Sequence, residues 1–243
     1  MTRKKGSNRL NIVNTQPQQD KIRFSSEDLI NVGAITDAQK AAFRSYFSGE
    51  NSLLLTGSAG TGKTFIAMYF ALRDVLDNRT PYEQVIVVRS VVPTREVGFL
   101  KGSLDEKLEE YEKPYEAICD GLFRWSNSYA NLKKTGKIKF ISTSFVRGMT
   151  YDNAIIILDE AQSCNLHELS SVFTRLGSDS KLIVCGDTAQ NDLIYKRNEE
   201  SGYPQLLKIV ERMGMDIVTF QHTDIVRGEF VKRFLIAKDE LGY

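Results

Sequence analysis

The chain has 243 residues, the length of one large domain, and a hydrophobic share of 42% that suffices for a sizeable core. Lys and Arg total 32 against 31 for Asp and Glu, a formal charge of +1, so no overall basic excess announces nucleic acid and any such surface must be a local patch. Three cysteines without C-x-x-C spacing and only two histidines leave little for a zinc site and suit a reducing cytoplasm; the N-terminus is polar, unlike a signal peptide, and no stretch approaches a membrane span.

Residues 1 to about 22 read as a tail, polar and with a basic start at Arg3, Lys4 and Lys5. It is either a solvated terminus or a basic arm toward nucleic acid or a partner subunit. The remainder, 23–243, reads as one domain. Thr36 or Asp37 can cap a helix whose apolar face includes Phe43 and Phe47. Gln39 on that helix offers a donor and an acceptor suited to an adenine edge.

Leu53, Leu54 and Leu55 form a short apolar run of buried-strand length. Gly57-Ser58-Ala59-Gly60-Thr61-Gly62-Lys63-Thr64 follows and fits G-x-x-x-x-G-K-[ST], the phosphate-binding loop of nucleotide triphosphatases. Phe65 to Leu72 then reads as a mostly buried helix. Strand, glycine loop and helix in this order put backbone N–H groups and a helix N-terminus around an anion. Lys63 is the residue to reach the β- and γ-phosphates of ATP, and the Thr64 hydroxyl is suited to Mg²⁺.

Val85 to Val88 is a second buried strand, ending at Arg89-Ser90, and completes a βαβ unit with a parallel sheet. A loop with Pro93, Gly98 and Gly102 leads into a charged helical insertion around 103–130, which Pro114 breaks or restarts. That insertion is a lid, a partner surface or simply a solvated face. Lys137 to Ile141 alternates like a strand and runs into the polar loop holding Thr143, Ser144 and Arg147.

Ala154 to Leu158 is a continuous apolar strand that ends in Asp159-Glu160-Ala161-Gln162. A carboxylate at a strand's C-terminal end beside a phosphate loop suits Mg²⁺. Asp159 takes that role, and Glu160 is placed to orient and deprotonate water. Leu182 to Cys185 is another strand, followed by Gly186-Asp187-Thr188-Ala189-Gln190, where Gln190 stands to sense the γ-phosphate. Ile217 to Phe220 is the last strand, Asp224-Ile225-Val226-Arg227 follows it, and Phe230 to Ile236 closes the chain as a helix.

Together these motifs resemble the PhoH-like family of ATPases. The residues that carry the resemblance are the glycine loop, Glu96-Val97-Gly98-Phe99-Leu100, Val146-Arg147-Gly148-Met149-Thr150, Leu158 to Gln162, Phe173-Thr174-Arg175-Leu176-Gly177, Gly186 to Gln190 and Asp224 to Arg227. The family has a second arginine where Met149 stands, and Arg-Pro where Arg89-Ser90 stands. The resemblance, from about Thr36 onward, is to compact bacteriophage-type forms. It implies an α/β fold, a single RecA-like domain of the helicase superfamily 1 type with a mostly parallel sheet flanked by helices. It also implies ATP and Mg²⁺, and it puts Arg227 where helicases carry their transition-state arginine.

Two functional readings follow. One is an ATP hydrolase coupled to single-stranded RNA or DNA, with Arg89, Ser90, Thr143, Ser144 and Arg147 at strand ends as the nucleic-acid surface. The other is a nucleotide-gated binding or scaffold protein with little turnover. A small-molecule kinase fits less well, since Glu160 supplies a base for water and no arginine-rich lid is present. With room for only one RecA-like domain, either Arg227 completes its own site or an arginine from a neighbour does, Arg227 or alternatively Arg175. The second option predicts a homo-oligomer, most simply a hexameric ring.

Overall fold

Six short apolar runs in the sequence become six strands because each is apolar on both faces or on alternate residues. In a computed structural model the described residues are 23–49, 52–91, 104–187 and 200–241. The expected tail at 1–22, the motif at 96–100 and Gln190 lie outside them. The strands are β1 (Leu53–Gly57), β2 (Gln84–Arg89), β3 (Ile138–Ser142), β4 (Ala154–Asp159), β5 (Lys181–Gly186) and β6 (Asp216–Phe220). They form one sheet in the order β3-β2-β4-β5-β1-β6, and every pairing is parallel. All six C-terminal ends therefore open at one edge. This is the RecA-like α/β arrangement.

β1, β4 and β5 are buried at every position, as central parallel strands covered on both faces must be. Their side chains divide with period two. Leu53, Leu55, Ile155, Ile157, Ile183 and Cys185 join the core beneath α1 (Asp37–Ser48), α2 (Lys63–Val75), α3 (Leu104–Phe123) and α4 (Ser128–Lys134). Leu54, Ile156, Leu158, Leu182 and Val184 pack on the other face with α5 (Leu166–Phe173) and α6 (Tyr203–Arg212). The last helix, α7 (Glu229–Glu240), has no buried residue.

Two helices depart from the sequence expectation. α3 runs through Pro114 without a break. An interior proline costs about 3 kcal/mol, and here the burial of Tyr115, Cys119, Leu122 and Phe123 on the same helix offsets it. α6 has no counterpart among the expected elements, although Pro204 stands in its first turn and Leu206 and Val210, four apart, are its buried stripe.

Gly57 closes β1 at φ +112, a conformation that side chains avoid. A Cβ there would stand 2.1 Å from the Phe220 carbonyl oxygen, the same oxygen that accepts the Ser58 N–H at 3.0 Å. The glycine lets β1 and β6 approach while the chain turns into the phosphate loop. Gly177 is also a close-approach residue and not the helix stop its position suggests. α5 ends at Phe173, and a Cβ on Gly177 would meet Asp152 Oδ1 at 2.0 Å. Among the described residues no helix is long and apolar enough to cross a membrane.

Candidate nucleotide site

The loop between β1 and α2 sits at the sheet edge where the strands end. Gly62 caps α2 in the left-handed region, at φ 86, so the first N–H groups of α2 face the loop. A cleft of about 860 Å³ opens above it. Ala59 to Thr64 line its floor, Asp159, Glu160, Gly186 and Asp187 one side, and Arg89 and Arg227 its rim. Pro114, Ala117 and Ile118 of α3 form a further wall.

Lys63 folds onto its own loop, donating to the Gly57 and Ser58 carbonyls at 2.7 Å each. Burial lowers its pKa, against the opposing pull of Asp187, Cys185 and Glu160. The Thr64 hydroxyl donates to Asp159 Oδ1 at 2.8 Å, and the Tyr115 hydroxyl donates to Asp159 Oδ2 at 2.8 Å. Thr64 gives its proton away in that bond and keeps its lone pairs for a hard cation. No cluster of three His, Cys, Asp or Glu that could hold a metal by itself occurs among the described residues. The donor set is thus one hydroxyl and one carboxylate, which fits Mg²⁺ carried on phosphates and not an all-protein cage.

Glu160 stands in the left-handed region at φ 51. Burial, with the Asp159 charge adding to it, pushes its carboxyl above the ordinary range, while Arg89 and Gln162 oppose. Gln162 is a bridge: its Nε2 donates to Glu160 Oε2 at 2.6 Å and its Oε1 accepts the Asp187 N–H at 3.0 Å. Its carbonyl accepts the Ser201 hydroxyl at 2.7 Å. The residue that follows β4 is in this way tied to the residue that follows β5.

Gln39 is buried at the cleft margin. Its Oε1 accepts the Ile35 N–H at 2.9 Å and its Nε2 donates to the Thr61 carbonyl at 3.1 Å. One acceptor lone pair and one N–H remain on that amide. Arg227 is exposed, lines the cleft of its own chain, and its stem stands against Gly60. The neighbouring Val226 N–H donates to the Gly60 carbonyl at 3.0 Å. A second tie comes from α7: His222 Nδ1 is 3.2 Å from the Ser58 hydroxyl, and its Nε2 is 3.0 Å from Asp239.

The five residues expected to form a nucleic-acid surface divide. Arg89 lines the nucleotide cleft, where burial alone would lower its pKa and Tyr115, Glu160 and Asp159 more than compensate. Ser90 and Thr143 are buried, and the Thr143 hydroxyl donates to Glu168 at 2.7 Å. Ser144 and Arg147 alone of the five are exposed. Arg175 does not line the cleft; its carbonyl accepts the Tyr151 N–H at 2.9 Å. Tyr115 and Gln162 were not singled out as site residues from the sequence. Gln162 sat in plain view inside the Asp-Glu-Ala-Gln run, whereas Tyr115, on a charged helix 44 residues from Asp159, gave no local signal.

A profile of the family described as PhoH-like protein matches residues 31–238. A PhoH-like protein of Synechocystis sp. is 36% identical over 184 residues, covering 74% of this chain and 54% of that one. A PhoH-like protein of Bacillus subtilis is 34% identical over 189 residues, 76% of this chain and 57% of that one. Protein PhoH of Escherichia coli K12 is 34% identical over 188 residues, 76% and 52%. The chain spans about half the length of the curated relatives it matches. Among solved structures, the Pif1 helicase of Candida albicans superimposes at a TM-score of 0.46 and 18% identity, over 87% of this chain and 44% of that one.

Proposed function

The chain belongs to the PhoH-like protein family, and from that premise we propose that it is a Mg²⁺-dependent ATP hydrolase whose turnover is coupled to single-stranded RNA or DNA. One observation carries the reading. The Thr64 hydroxyl and the Asp159 carboxylate meet at 2.8 Å at the mouth of a glycine loop, with a half-buried carboxylate, Glu160, as the next residue. Bound Mg²⁺ supplies neutralising charge to the β- and γ-phosphate oxygens.

The chain's own residues supply the rest. The loop N–H groups and the N-terminus of α2 hold phosphate oxygens. Lys63 is within a side-chain rotation of them, from the loop carbonyls it now engages. The remaining acceptor and donor of Gln39 would serve an adenine edge. Glu160, held by Gln162, orients a water and takes its proton. Gln190 retains its proposed place as γ-phosphate sensor. Arg227, at the rim, adds positive charge where the transition state develops it. Its place in its own chain's cleft supports completion of the site without a neighbour. On the strand side, Ser144 and Arg147 are the exposed candidates for phosphate contacts.

Phosphate release from ATP, with Mg²⁺ or with EDTA and with or without single-stranded RNA and DNA, tests the reading. Mg²⁺-dependent release that rises with one of the strands is expected. Tight nucleotide binding with negligible release under every condition would overturn it in favour of the nucleotide-gated scaffold.

A further inference from the structure

Tyr115 is fully buried, yet it ends in a polar hydroxyl. A buried phenol needs a partner, and this one donates to Asp159 Oδ2 at 2.8 Å. The other oxygen, Oδ1, accepts from Thr64 at the same distance. Asp159 is itself only 4% exposed. With one donor on each oxygen the carboxylate plane is fixed, and a lone pair on each oxygen remains.

We infer that Tyr115 is a positioning residue for the metal-holding carboxylate Asp159, and that the helix between β2 and β3 is thereby part of the nucleotide site. This rests on the Mg²⁺-nucleotide reading above. The placement of α3 is independent of that hydrogen bond: Pro114, Ala117 and Ile118, flanking Tyr115 on the same helix, wall the cleft. Arg89 lines the same cleft. Partners that orient a metal-binding group govern metal affinity nearly as much as the group itself.

The test separates this role from simple core filling. Tyr115→Phe keeps the ring, which lies 5.7 Å from the Phe140 ring, and removes only the hydroxyl. Calorimetric titration with ATPγS, in EDTA and at graded Mg²⁺, reads the metal apart from turnover. Tyr115→Phe should bind ATPγS in EDTA as the wild type does, and its Mg²⁺ midpoint should rise ~10-fold. Phe140→Leu loosens the same packing and keeps the hydroxyl; it should lower the thermal midpoint and leave the Mg²⁺ midpoint in place. In an Asp159→Asn background, adding Tyr115→Phe should change the Mg²⁺ response no further. The inference is overturned if Tyr115→Phe and wild type share one Mg²⁺ midpoint, or if Phe140→Leu moves it as far. Wild-type protein that binds no ATPγS would instead sink the nucleotide reading itself.

Discussion

Glu160 occupies a backbone conformation that non-glycine residues seldom adopt, and its neighbours hold it there. Gln162 grips its carboxylate from one side while fixed to Asp187 and Ser201 on the other. The Glu160 carboxylate, the proposed base, is thus held by the same four-residue run that carries it. Glu160→Gln keeps an acceptor for Gln162 and removes the base. ATP affinity should survive, because Lys63, Thr64 and Asp159 remain, and single-turnover hydrolysis should slow by ~10²-fold or more. A wild-type rate in that variant would show that another group takes the proton. At this scale the sequence was legible wherever position follows from spacing: the glycine loop, Asp159 and Glu160 each lie at or just past the end of an apolar run. It was silent on Tyr115 and on the place of Arg89 in the cleft. Both depend on which helix lies over the strand ends, and nothing in the local pattern of α3 or β2 records that. The burial of Ser90 and Thr143 was equally unmarked, since a polar residue after a strand is as often a buried partner, as Thr143 is to Glu168, as a surface contact.

Elements were read most reliably where burial is complete on both faces. β1, β4 and β5 are unbroken apolar runs, and a parallel strand in mid-sheet has no other way to be written. The edge strand β3 shows the alternation of a half-covered surface. Helices were harder. Pro114 argued for a break in α3 that packing overrules, and short α6 has too little sequence to stand out from a loop. The junction of β1 with β6 is where an element depends on one residue. Gly57→Ala would place a methyl against the Phe220 carbonyl in a conformation alanine resists. Backbone strain alone should cost about 1–3 kcal/mol, and displacing the Ser58 to Phe220 bond should add to it. Urea unfolding measures this; a Gly57→Ala protein as stable as the wild type would mean that β6 does not pack here as described. α7, which buries no residue, is held differently, through Leu235 beside Gly60 and through His222 between Ser58 and Asp239.

On the scale of the whole molecule, the question is whether one chain makes one complete site. Two options stand: Arg227 completes its own site, or a neighbour lends an arginine, which predicts a ring. Arg227 lines the cleft of its own chain, which is the arrangement that the first of these options needs. Mixing two inactive proteins, Glu160→Gln and Arg227→Ala, decides it. If Arg227 serves its own chain, no site in any mixture holds both residues, and phosphate release should stay at the level of either variant alone. Partial recovery would mean that the arginine crosses between subunits. The sheet order has one more consequence, for the making of the protein. β1 carries the phosphate loop and is the first strand of the chain, yet its neighbours are the last two: Leu53 pairs with Ile183 on one side and with Asp216 on the other. On a ribosome adding about 5–20 residues per second, β1 waits on the order of ten seconds for both flanks. Until then its backbone edges have no native partner. The nucleotide site is therefore among the last features to form in the nascent chain, and the polypeptide that carries its motif is, for that interval, the one most in need of shelter from aggregation.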